Sequence, residues 1–284
     1  MAWVLLVLAY GLIKGIREVL KKKALEKSSL IEVLFLYTFL SFLIVTPEVR
    51  NAGGVPGKLM IMIVVKSFAI FLAWLCGFKA ISNMPVSLYG VIDLSRVIFS
   101  TVLGIVLVHE TVTASGWIGF VLVIAGLMML KLRKGSDNSK EVEGKFVILS
   151  LISCALNGFS GVLDKIIMST NDINDGQLQF WYMLFLVFFY LIYIVLTKQQ
   201  IRWKSALKNY WIWILAIAFV IADRCLFIAN GIEGSRVTVM TLIKQSSVIV
   251  TILLGKLIFK EKNIGYKLIC ALVVLSGILI SVLL

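Results

Sequence analysis

Histidine occurs once and proline three times in 284 residues, and only 15 acidic residues stand against 28 basic ones. Each scarcity removes a class of function. The lone His109 and the four cysteines (Cys76, Cys154, Cys225, Cys270), each inside an apolar run, show no metal-ligand spacing and no disulfide pattern. The thiols are expected to pack as small hydrophobes. No cluster of His, Cys or paired carboxylates marks a reaction centre, so no catalytic residue, cofactor or metal is expected. No P-loop is present, which removes nucleotide-driven chemistry. Pro85 opens an apolar run, where its missing N–H is harmless. None of the three prolines interrupts such a run, so no broken-helix ion site is signalled.

The deficit of acid leaves a net charge of +13. A nucleic-acid-binding face needs a contiguous soluble surface, and this chain has none to offer. Apolar residues make up 60% of it, and the mean hydropathy is +1.01. Ten apolar segments are visible, at 2–20, 30–46, 59–82, 85–108, 113–132, 146–168, 178–197, 209–231, 236–259 and 264–284. Each has close to the roughly twenty residues that a helix needs to cross a hydrocarbon core of about 30 Å. The first segment carries its charges at the wrong end for a cleaved signal peptide. An all-α integral membrane protein is therefore expected.

Two stretches of the chain repeat. Gly104, Glu110 and Gly126 recur as Gly255, Glu261 and Gly277, each 151 positions later (255−104, 261−110 and 277−126). A polar, charged linker, 133–145, separates five segments (1–132) from five (146–284). Because five is odd, the second half enters the membrane from the opposite side, giving two inverted five-helix repeats. Sixteen Lys and Arg lie in the loops of one face, including Lys21, Lys134, Arg202 and Lys260; only Arg50, Lys58 and Arg236 lie on the other. By the positive-inside rule the basic face is cytoplasmic and both termini face outward, in a multi-pass plasma membrane protein of a prokaryote.

The segments AISNMPVSLYGVIDLSRVIFSTVLGIVLVHETVTASGWIGFVLVIAG and GIEGSRVTVMTLIKQSSVIVTILLGKLIFKEKNIGYKLICALVVLSG resemble the paired EamA-type repeats of the drug/metabolite transporter superfamily. The shared features are a polar helix start, a glycine, an acid at the turn and a glycine-bearing final helix. The resemblance implies a ten-helix carrier whose cavity is lined by spans 1–4 and 6–9, with spans 5 and 10 peripheral. There are two departures. The family usually has Gly before the turn acid, where His109 and Lys260 stand here. Its members generally keep both termini in the cytoplasm, whereas the charge count places them outside.

Nine basic residues fall within the spans: Lys14, Arg17, Lys66, Lys79, Arg96, Lys165, Arg224, Lys244 and Lys256. An ionised group at a helix centre costs about 2.5–3.5 kcal/mol on insertion scales, so such groups face protein or water. Lys66, Lys79, Lys165 and Lys256 sit near span ends and are expected to snorkel. Asp93, Arg96, Ser100 and Gly104 share one helical face, and the 151-residue register maps them onto Lys244, Ser247, Thr251 and Gly255. Asp93 and Lys244 are expected to pair across a central cavity. Tyr10, Lys14 and Arg17 share a face of the first span; Asn157 and Asp164 lie on the sixth. Asp223 and Arg224 point about 100° apart, and Arg224 is expected to meet the substrate, or else to pair with Asp223, Glu233 or Asp93. Trp74 sits mid-span, and Gln245 adjoins Lys244.

The substrate-binding set is thus Tyr10, Lys14, Trp74, Asp93, Arg96, Asn157, Asp223, Arg224, Lys244 and Gln245. Among the deep positions bases outnumber acids, which favours an anionic or carboxylate-bearing metabolite. The expected activity is secondary transport of a small polar solute by alternating access; any proton coupling would use Asp93, Asp223 or Asp164, and uncoupled transport or exchange is an equal alternative. The expected state is a monomer or weak dimer in the lipid bilayer, without a nucleic-acid partner. The alternatives are export of cationic amines or drugs, and, from another class, a channel or a non-transporting receptor.

Overall fold

A computed structural model describes residues 2–108, 114–132, 142–168, 170, 172–231 and 243–283. His109, Glu110, Glu233, Arg236 and linker residues 133–141 lie outside this set. The described chain is helical. The helices are α1 (Ala2–Lys27), α2 (Leu30–Val45), α3 (Gly57–Asn83), α4 (Val86–Asp93), α5 (Arg96–Val108), α6 (Ala114–Leu132) and α7 (Gly144–Met168), with a 3-10 turn at Thr46–Asn51. There follow α8 (Asp175–Thr197), α9 (Trp203–Leu207), α10 (Tyr210–Gly231), α11 (Ser247–Phe259) and α12 (Ile264–Leu283). Among the described residues five stretches are long and apolar enough to cross a membrane: Leu30–Arg50, Gly57–Asn83, Val86–Val106, Gly144–Met168 and Asp175–Thr197.

Local sequence sets several helix ends. Ser29 and Glu32 form a capping box at the start of α2, and Asn174 and Gln177 form another at α8. The first polar residues after α8 and α11, Lys198 and Lys260, take left-handed φ values of 51° and 52° and close those helices. Apolar character all around α2 (LIEVLFLYTFLSFLIV) fits a helix enclosed on most sides; Leu34, Tyr37 and Val45 are fully buried.

The strong contacts between the halves come in matched pairs. α3 packs on α7 as α10 packs on α1; α5 packs on α7 as α11 packs on α1; α8 packs on α3 as α10 packs on α2; and α6 and α12 pack on each other. In the last seam the register glycines are required by space. A Cβ on Gly126 would lie 2.6 Å from Val274, and one on Gly277 would lie 2.7 Å from the Gly119 carbonyl.

The fourth segment is not one helix. Between Asp93 and Arg96 the ladder tightens: the Leu94 N–H bonds the Val91 carbonyl at 3.2 Å, and the Ser95 N–H bonds that of Ile92 at 2.9 Å. A related tightening occurs at Ser246, 151 positions after Ser95, where the Ile249 N–H donates to the Ser246 carbonyl at 3.0 Å. No proline or glycine stands at either position. With no interrupting proline, neither break is signalled by the sequence.

Candidate functional site

α1 is the hub of the buried charges. Tyr10, Lys14 and Arg17 follow one another by three- and four-residue steps, and each meets a different group of helices. Lys14 Nζ lies 3.4 Å from Asp93 Oδ2, and Arg96 Nη2 donates to Asp93 Oδ1 at 2.7 Å across the break between α4 and α5. Cys154 Sγ on α7 adds a contact to the Ile92 carbonyl at 3.6 Å. The break thus holds an acid at the end of one short helix and a base at the start of the next, joined to each other.

One turn along α1, Arg17 Nη1 stands 3.9 Å from Asp223 on α10, and Arg17 Nη2 donates to the Tyr37 hydroxyl at 3.3 Å. Its guanidinium covers the Phe219 ring at 4.5 Å. Tyr182 on α8 donates to Asp223 Oδ2 at 3.3 Å. Lys66 on α3 lies over the Tyr182 ring at 4.2 Å and pairs with Asp164 on α7 at 3.0 Å. A chain of polar contacts therefore runs Asp164–Lys66–Tyr182–Asp223–Arg17–Tyr37, through six helices.

Lys244 takes a different position from the one its register implied. Asp93 is held by Lys14 and Arg96, and the Lys244 ammonium lies 5.8 Å from the Tyr10 ring centroid. The 151-residue register reports equivalence under a pseudo-twofold, and equivalent positions need not touch. Lys244 remains within electrostatic reach of Lys14, Arg96, Asp164 and Asp223. Among the described residues no carboxylate lies within ion-pair distance of it.

The structure thus gathers Tyr10, Lys14, Asp93, Arg96 and Lys244 around one centre, with Asp223 in the adjoining chain. Gln245 is buried, and its Oε1 has no hydrogen-bond partner among the described atoms. Trp74 packs into an aromatic cluster 5.2 Å from Tyr37 and 5.8 Å from Phe219. Asn157 turns its amide to the Ser153 carbonyl on its own helix, at 2.8 Å. Arg224 points away from Asp223 and pairs with Glu48, which the Thr46–Asn51 turn presents to α10. The predicted adjacency of Asp223 and Arg224 separates them, but the one that meets the central charges is Asp223.

Lys66 was expected to snorkel. Instead its side chain is 5% exposed, because α3 begins at Gly57 and sets Lys66 about 14 Å along the helix. Tyr37 and the contact of Cys154 also escaped sequence reasoning. As single residues in apolar helices they carry no local signal that separates them from core.

Glu261, the repeated turn acid, has a definite task. Its Oε1 accepts the Val86 N–H at 2.6 Å and its Oε2 accepts the Ser87 N–H at 3.1 Å. Lys267 lies 3.7 Å from the same carboxylate and donates to the Ser87 hydroxyl at 2.8 Å. The first turn of α4 opens at Pro85 without a side-chain cap of its own, so an acid from the other half satisfies its free donors.

An all-helical bundle with matched contacts between two halves, apolar helices of membrane-crossing length and a charged centre defines a polytopic membrane protein with a polar core. Residues 1–132 and 144–283 both match the EamA-like transporter family. The chain belongs to that family, within the drug/metabolite transporter superfamily, and is a membrane transporter. No curated protein matches it. A solved crystal structure is similar at 16% identity over 96% of each chain, with a TM-score of 0.56, a likeness that bears on fold alone.

Proposed function

We propose that this transporter moves a small anionic or carboxylate-bearing metabolite by alternating access, through ten spans built as two inverted five-helix repeats (1–132 and 146–284, joined by linker 133–145). The observation that carries the reading is the charge balance at the centre. Lys14 and Arg96 share one carboxylate, Asp93, while Lys244, in the field of both bases, has no carboxylate at ion-pair distance among the described residues. A third cation held in a low-dielectric interior without an acid is costly, and a substrate anion supplies the missing charge. The neighbouring chain is balanced, with Arg17 and Lys66 against Asp223 and Asp164. The binding set is Tyr10, Lys14, Asp93, Arg96, Lys244 and Gln245, with Asp223 and Trp74 at its border and Asn157 and Arg224 beyond it.

The carrier works without cofactor or covalent step, as a monomer or weak dimer in a prokaryotic plasma membrane, both termini outside by its basic loops. Coupling to protons passes through Asp164 or Asp223. A second reading, export of amines, is favoured by Asp164, whose side chain is 40% exposed despite its lysine partner.

Counterflow in proteoliposomes separates the two. Under the anion reading a carboxylate or organic phosphate exchanges saturably, and Lys244→Gln raises its KM at least tenfold, the effect of about 1.4 kcal/mol. Exchange of amines that survives Lys244→Gln and fails in Asp164→Asn would replace the anion reading with the second one. Linear, non-exchanging flux would mark a channel.

A further inference from the structure

On the face that carries the basic loops, a cavity of about 540 Å³ opens where the end of α3 meets the start of α7. Its lining is Lys79, Asn83, Lys145, Phe146, Ile148 and Leu149. We propose that this cavity is a binding site for the headgroup of an acidic phospholipid, separate from the central charged site and lying on the seam between the two halves.

The polar rim suits a phosphate. Lys79 and Asn83 are one helical turn apart on α3 and share a face. The Asn83 amide donates to the Lys79 carbonyl at 2.8 Å, which fixes the loop-side edge of the cavity. Among the described residues Lys79 has no acidic partner. Lys145 enters from α7, covers the Phe146 ring at 4.9 Å and pairs with Glu143. Two lysines against one glutamate leave net positive charge. The first free N–H groups of α7, a helix of 25 residues, add the positive end of its dipole. Gly144, at that end, has open space where a side chain would project. The opposing negative end of α3 is offset by Lys22, which donates to the Met84 carbonyl at 2.6 Å.

The floor is apolar, which separates a lipid from a free anion. Phe146 is buried and closes the cavity, while Ile148, one turn from Lys145, is 59% exposed on the outer surface. A headgroup between Lys79 and Lys145 therefore leads its acyl chain onto an apolar flank of the bundle. A small soluble anion gains nothing from that flank. Anionic lipids concentrate at cytoplasmic surfaces, where each nearby lysine contributes measurably to their binding. Because α3 belongs to the first half and α7 to the second, a bound lipid bridges the two.

The test is a titration of the full chain in mild detergent by native mass spectrometry, with phosphatidylglycerol, phosphatidylcholine or inorganic phosphate. The expected result is a retained phosphatidylglycerol adduct, with affinity falling roughly fivefold for each of Lys79→Gln and Lys145→Gln. Lys79→Arg with Lys145→Arg keeps the adduct, and Lys198→Gln with Lys204→Gln, elsewhere on the basic face, leaves it unchanged. Helix content and melting temperature in lipid-free detergent monitor folding. Should Lys79→Gln/Lys145→Gln fail to fold, Ile148→Gln keeps the test open by weakening the chain contact alone. Equal retention of phosphatidylcholine, full binding by the folded double glutamine variant, or competition by millimolar inorganic phosphate overturns the proposal.

Discussion

Two seams of the bundle are counterparts, α1 against α11 and α7 against α5, yet they are not packed alike. At Gly15 of α1 a Cβ would stand 2.6 Å from the Val250 side chain and 2.8 Å from the Ser247 carbonyl. At Gly161, its counterpart on α7 (161−15 and 164−18 both give 146), nothing lies within 4 Å. The acids one turn on differ in the same sense. Glu18 has an 11% exposed side chain and is bonded to Lys21 at 2.7 Å, whereas the Asp164 side chain is 40% exposed. One half buries this glycine and its acid; the other leaves Gly161 and Asp164 more open, although its seam is closed one turn away, where a Cβ on Gly158 would lie 3.1 Å from the Ser100 hydroxyl and 3.2 Å from Phe99. On the alternating-access reading proposed above, such a difference corresponds to a single access state, and transport would exchange the two packings.

Perturbations of this contrast differ widely in their expected effect on stability. Asp93→Asn removes the acid that holds Lys14 and Arg96 and leaves one largely buried and one part-exposed cation uncompensated. A loss of about 3–5 kcal/mol is expected, read as a large drop in detergent melting temperature. An unchanged melt would mean that those bases reach water. Gly15→Val drives a side chain into Val250 and the Ser247 carbonyl and is expected to cost about 1–3 kcal/mol. Glu261→Gln weakens the donated cap on α4 by about 1 kcal/mol, again read by melting temperature. Gly161→Val meets open space, so stability should shift by less than about 0.5 kcal/mol. On the alternating-access reading counterflow should nevertheless fall sharply, because a side chain at Gly161 blocks the close approach that Gly15 makes in the other half. Normal exchange by the Gly161→Val protein would break the comparison, since the open space at Gly161 would then be a permanent feature.

Sequence periodicity located the helices well, because apolar segments of spanning length leave few alternatives. The stripe Tyr10, Lys14, Arg17 on α1 was also readable, since side chains three and four apart must share a face. Partner choice was not. Asp93 looked toward Lys244 because a register relates equivalent positions, while contact depends on how the halves dock; docking brought Lys14 to Asp93 instead. The interruptions at Leu94–Ser95 and Ser246 were invisible because no proline or glycine announces them, although each adjoins charged residues. Arg224 was paired by a turn, Thr46–Asn51, whose fold returns Glu48 to α10, a long-range outcome with no local cue. The turn acid Glu261 stood out by repetition alone, and its role as a cap for the other half emerged only from three-dimensional contact. Its counterpart Glu110 lies outside the described residues.

The charge surplus at the centre is the claim on which the functional reading stands. Its most direct measurement is counterflow by the purified chain in proteoliposomes, across matched panels of carboxylates, organic phosphates and amines, for the native protein and Lys244→Gln. Saturable exchange of an anion, with KM raised at least tenfold in the variant, is the predicted result. Exchange confined to amines and indifferent to Lys244 would contradict it.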